Sequence, residues 1–89
     1  MINQKYKKEL FSKLEKNLTS LGLNKNILYF HFQKVKTAKE LTHLLYHLAW
    51  DIATRVKITS DEEYETAKKT IHLLLEERLK LLEAIREKK

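Results

Sequence analysis

Across 89 residues this chain contains no proline and a single glycine, Gly22, so almost nothing in it interrupts a helix. Proline and glycine are the residues that a helix interior tolerates least. The apolar residues also recur at helical spacing and are not scattered, which argues against disorder. Eighty-nine residues support one modest core, so residues 1–89 are expected to form a single domain. The fold class that follows is all-α, an antiparallel four-helix bundle with a short second helix and a long C-terminal one.

Four segments carry that expectation. From Asn3 to Leu21, Tyr6, Leu10, Leu14, Leu18 and Leu21 fall on one side at spacings of four and three, with Phe11 beside them. Gly22 suits a left-handed stop. Asn24 to Val35 is dense in aromatics (Tyr29, Phe30, Phe32), which favour strands. A lone strand has no ladder partner within the chain, so a short, deeply packed helix capped by Asn24 or Asn26 is preferred. The third helix opens with a capping box, Thr37 and Glu40. Ala38, Leu41, Leu45, Leu48, Ala49, Ile52 and Val56 then define its inner face. Thr59 and Ser60, followed by Asp61, Glu62, Glu63 and Glu65, suit the positive end of a fourth helix dipole. Its stripe is read as Tyr64, Ala67, Ile71, Leu74, Leu75, Leu82 and Ile85, with Arg86, Lys88 and Lys89 at the C-terminal end. At 1.5 Å per residue this helix reaches roughly 40 Å.

The absence of cysteine rules out disulfides, thiolate nucleophiles and Cys-ligated zinc. No apolar run approaches the roughly 18 residues of a membrane span. No signal-peptide core follows Lys5, Lys7 and Lys8, so a cytoplasmic location is expected. The net charge of +6 lies in the front part, where residues 1–40 set nine Lys against Glu9, Glu15 and Glu40. Lys5, Lys7, Lys8, Lys13 and Lys16 are the expected contacts for an anionic partner. Nucleic acid is the second choice for it, because lysines outnumber arginines and no recognition-helix or RNA-binding motif is present.

One feature sets the third helix apart. Opposite its apolar stripe it carries His43, Tyr46, His47 and Trp50, where Lys and Glu would normally stand. Either the helix is sandwiched inside the bundle, or this face takes a partner. His43, His47 and Asp51 follow one another at i, i+4 and i+8. Two His at that spacing can share a metal, but the position after His43 is Leu44, not the Glu of the zinc-protease motif. An interfacial histidine pair is preferred, and no metal or cofactor is expected. Arg78 interrupts the stripe of the fourth helix and is read as a snorkelling side chain; an ion pair with Glu9, Glu15 or Asp51 is the alternative. Leu73 and Leu79 lie at or beyond the stripe's margin. With Trp50 they would give a contiguous apolar contact surface. The serines sit in helix or cap contexts and the carboxylates cluster where helix capping explains them, so no enzyme and no small-molecule substrate are expected.

The junction Ala49-Trp50-Asp51-Ile52-Ala53-Thr54-Arg55-Val56-Lys57-Ile58-Thr59-Ser60-Asp61-Glu62 resembles the third-to-fourth helix junction of bacteriocin immunity proteins, and the likeness covers roughly residues 37–80. An Ala-containing amphipathic helix ends in a basic and an aliphatic residue, and a Thr then leads into the last helix with acids behind it. The resemblance implies a cytoplasmic antiparallel bundle that protects a producer cell from its own pore-forming peptide through a membrane receptor complex. Together these readings give a small non-enzymatic interaction protein. Its expected partner is a protein, with a membrane-associated one and a second copy of the chain among the candidates, and Tyr46, Trp50, His43 and His47 are the contact face.

Overall fold

The computed structural model describes residues 3–87, so Lys88 and Lys89 lie outside it. It contains α1 (Gln4–Ser20), α2 (Lys25–Lys34), α3 (Ala38–Thr54) and α4 (Asp61–Glu87), with no strand among the described residues. Every helix start has a polar side chain in place to satisfy amides that lack a partner within the helix. Asn3 accepts from the Lys5 and Tyr6 amides at 2.8 and 3.4 Å, and Asn24 from the Asn26 and Ile27 amides at 2.8 and 3.1 Å. The Thr37 hydroxyl accepts from the Glu40 amide at 3.2 Å, while the Glu40 carboxylate accepts from the Lys36 amide one residue before the cap, a variant of the capping box. At the start of α4 the Glu63 amide donates to Ser60 Oγ at 3.1 Å, and the Glu63 carboxylate accepts from the Thr59 and Ser60 hydroxyls.

Between α1 and α2 the chain turns at Gly22, whose φ of 94° only glycine adopts readily. The Leu23 amide reaches back to the Leu18 carbonyl and the Gly22 amide to that of Thr19, the paired bonds of a Schellman stop. Short connections then force sequential helices to be neighbours. α1 packs on α2, α2 on α3 and α3 on α4, and α4 returns to α1, so a square of four is closed. The antiparallel order is visible in side chains. Lys7 meets Val35, Phe11 meets Phe32 and Lys25 meets Glu15 between α1 and α2. Between α3 and α4, Tyr46 faces Arg78, and Ile52 and Ala53 border the same recess as Ile71.

The core draws on every helix. Leu10, Leu14, Leu18, Leu28, Phe32, Leu41, Leu45, Leu48, Ile52 and Leu74 are buried, each large side chain contributing about 1.5–3 kcal/mol of transfer free energy. Two sequence expectations need correction. The second segment is a helix, but it is not deeply packed. Only Leu28 and Phe32 of α2 go inside, while Ile27, Tyr29 and Phe30 stay exposed. Ten residues on the edge of a bundle have one buried side to offer. On α4 the inner stripe is Ala67, Thr70, Leu74, Glu77 and Leu81, not the one that ran through Tyr64 and Leu75. Those two are exposed because the helix is rotated to place Thr70 and Glu77 toward its neighbours. The overall extents of 44 × 24 × 19 Å are set by the long axis of α4.

Candidate functional site

The capping box at Thr37 fixes where α3 begins and so which residues face inward. Leu41, Leu45, Leu48, Ala49 and Ile52 fill the interior, and a residue one position after an inner one turns roughly 100° away. Tyr46 follows Leu45 and Trp50 follows Ala49, and both turn outward, 47% and 59% exposed. His43 and His47 are exposed as well. The structure therefore brings all four side chains of the expected contact face to the surface of one helix.

Across the seam, α4 extends this face. The Arg78 guanidinium lies over the Tyr46 ring at 5.0 Å from its centre, a geometry in which the ring quadrupole attracts the cation. No ion pair links Arg78 to Glu9, Glu15 or Asp51. Glu15 pairs with Lys25 at 2.8 Å and Asp51 with Arg55 at 3.7 Å. Among the described residues Arg78 Nε is buried without a hydrogen-bond partner, and the guanidinium rests on the Tyr46 ring. Because the two helices are antiparallel, each turn forward on α3 is level with one turn back on α4. Trp50 thus sits level with Leu75, and Tyr46 with Leu79, both exposed leucines. Further along, a shallow recess of about 320 Å³ lies between Ile52, Ala53, Ile58, Tyr64 and Ile71. The outer α3–α4 side therefore carries exposed apolar side chains from both helices, Tyr46 and Trp50 on α3 and Leu75 and Leu79 on α4. Leu73, in contrast, packs partly buried against the core.

The basic side of α1 is less uniform than its sequence. Lys5, Lys8 and Lys16 are exposed. Lys13 leans toward Glu77 at 3.6 Å with most of its side chain in solvent. Lys7 departs from the expected surface cation: only 8% is exposed, and its Nζ donates to the Val35 carbonyl at 2.9 Å. Its position explains this, since Lys7 precedes Leu10 by three residues and belongs to the inner stripe Leu10, Leu14 and Leu18.

Glu77 is the buried carboxylate that sequence reasoning missed. It is 5% exposed, accepts a 2.9 Å hydrogen bond from the Tyr6 hydroxyl, and has Lys13 and Lys80 within 3.6 and 3.8 Å. Burial first, then the hydrogen bond to Glu77 and the carboxylate's charge, push the Tyr6 phenol well above its ordinary value of 10.0. The spacing Ala67, Thr70, Leu74, Glu77, Leu81 of three and four was the signal, legible only if polar residues are allowed on a core stripe.

His72 lies beside Glu76 at 3.7 Å on an exposed turn. Among the described residues, no three His, Asp or Glu side chains come together in a set that could hold a metal ion. No helix described is long and apolar enough to cross a membrane.

No protein family, curated protein or solved structure matches this chain. The site must therefore be read from its own chemistry.

Proposed function

We propose that this chain is a non-enzymatic interaction protein that docks another protein on the outer α3–α4 face. The observation that carries this reading is the exposure of Trp50 and Tyr46 on α3 and of Leu75 and Leu79 on the adjoining α4. Ile58 and Tyr64 are exposed as well, and clustered exposed apolar side chains mark interaction sites where scattered single ones do not. Trp and Tyr are also the side chains from which interfaces draw most of their binding energy.

The most concrete form of this function is an immunity-type role, in which the bundle acts in the cytoplasm against a pore-forming bacteriocin through a membrane-associated partner. The likeness of the α3–α4 junction to that family supports it. Expression in a bacteriocin-sensitive strain, challenged with a panel of pore-forming bacteriocins, is the test. Protection against at least one peptide, lost in Tyr46→Ala/Trp50→Ala without loss of folded protein, is the expected result. Failure against the whole panel would remove the immunity role, and protection that survives the double substitution would remove the α3–α4 face from it. Nucleic-acid binding is the weaker reading, because Lys7 is buried and Lys13 is drawn to Glu77.

A further inference from the structure

On the other side of the molecule, the outer groove between α1 and α2 has a different chemistry. It is an open trough of about 870 Å³, within the range of roughly 300–1,000 Å³ typical of small-ligand sites. Its apolar floor is an aromatic cluster, with the Phe11 ring edge-on to Tyr29 at 5.8 Å and to Phe32 at 5.2 Å. The groove is also lined by Lys7, Lys8 and Lys36, and by no carboxylate. An anion is therefore attracted from more than one side and repelled by none of the lining groups.

Lys7 adds a second, independent observation. It is more than nine-tenths buried, yet among the described residues no carboxylate lies within ion-pair distance of its ammonium. The Val35 carbonyl at the C-terminal end of α2 accepts one of its three N–H groups. That contact suits the negative end of the helix but supplies no full counter-charge. A buried ion is costly unless it is paired. The ammonium therefore stands at the α2 end of an aromatic trough as an anchor for an acidic group.

We propose that the α1–α2 groove binds a single-chain anionic amphiphile of the fatty-acid type. Its chain lies along Phe11, Tyr29 and Phe32, and its carboxylate pairs with the Lys7 ammonium between Lys8 and Lys36. This site is separate from the α3–α4 face, and neither depends on the other.

The test is titration with dodecanoate below its critical micelle concentration, followed by amide NMR shifts, with dodecanol and anionic phospholipid vesicles as comparators. Saturable one-to-one binding is expected, with shifts confined to residues 4–12 and 29–36. Dodecanol, and Lys7→Met with dodecanoate, should each bind about tenfold more weakly, the loss of one charge-assisted contact. Lys7 is buried and its loss can unfold the bundle. The exposed pair Lys8→Gln/Lys36→Gln is therefore the second variant, expected to weaken binding about threefold with unchanged helicity. Shifts gathered on α3 and α4, equal affinity for dodecanol, or the absence of saturable binding would each overturn the proposal. So would binding to vesicles alone, which would assign these lysines to a lipid surface.

Discussion

The two seams of α4 invert the usual arrangement of polar and apolar groups. Toward α1 the helix buries a carboxylate, Glu77, bonded to Tyr6, and a hydroxyl, Thr70, that returns to its own Thr66 carbonyl at 2.7 Å. On the side of α3 it leaves Leu75 and Leu79 exposed, as α3 leaves Tyr46 and Trp50. Water contact and polarity are thus mismatched in opposite senses on two sides of one helix. The buried polar seam is directional and fixes how α1 sits on α4, since a hydrogen bond to Tyr6 constrains register more tightly than contact between leucines. The exposed apolar seam adds little to folding, because its side chains remain in water. It is the region whose composition folding alone does not explain.

Substitutions along α4 and at the side chains that face it put this difference to the test. Leu74→Ala, at a site with no exposure, should cost about 3 kcal/mol in urea unfolding. Glu77→Ala should follow at about 2 kcal/mol, because it strands the Tyr6 hydroxyl in a partly buried site. Tyr6→Phe, which removes one charge-assisted hydrogen bond, should cost about 1 kcal/mol. The double variant Tyr6→Phe/Glu77→Leu should recover most of that loss, as apolar replacement of a whole buried polar pair often does. A double variant as unstable as Glu77→Ala would mean that the carboxylate matters through Lys13 and Lys80, not through Tyr6.

Alkaline titration sharpens the same seam. The fold raises the Tyr6 pKa above its unfolded value of 10.0, so the neutral phenol is the form that folding favours. Its stabilisation is complete below pH 10 and is lost as the pH climbs through the folded-state value. Unfolding free energy measured from pH 9 upward should therefore fall more steeply in the native chain than in Tyr6→Phe. Identical slopes would show that the Tyr6–Glu77 bond is not made in solution. The smallest effects belong to the outer face. Leu79→Ala and Trp50→Ala should each change stability by no more than about 0.5 kcal/mol. A Leu79→Ala loss comparable to that of Leu74→Ala would erase the distinction between the seams.

How much of this was legible in the sequence depended on whether a stripe is purely apolar. α3 nearly was, because Thr42 alone of its buried positions is polar, and the four side chains of its other face could be named from spacing, though spacing left open whether that face is sandwiched or exposed. α4 was legible as a helix but not in rotation. Its true stripe includes Thr70 and Glu77, so a count of apolar residues alone leaned toward Tyr64, Leu75 and Leu82. α1 shows the same effect once, at Lys7, where a cation occupies an inner position and its ammonium reaches the end of α2. No local pattern separates Lys7 from Lys5 or Lys8 unless the stripe is extended back from Leu10. The aromatics of α2 were visible, but which of them go inside depends on how far α1 and α3 cover a ten-residue helix. That is a tertiary fact. The α1–α2 groove was illegible for the same reason, since its lining comes from two helices whose contact no single-helix period encodes.

The α3–α4 docking surface depends most heavily on the outward position of Trp50, the chain's only tryptophan. Its emission maximum and acrylamide quenching, measured together with the molecular mass in solution, test that position most directly. A red-shifted, readily quenched signal from a monomer is the predicted result and leaves the α3–α4 face free for its partner. A blue-shifted, protected signal from a monomer would mean that the face is buried within the chain, and the docking surface would fall with it.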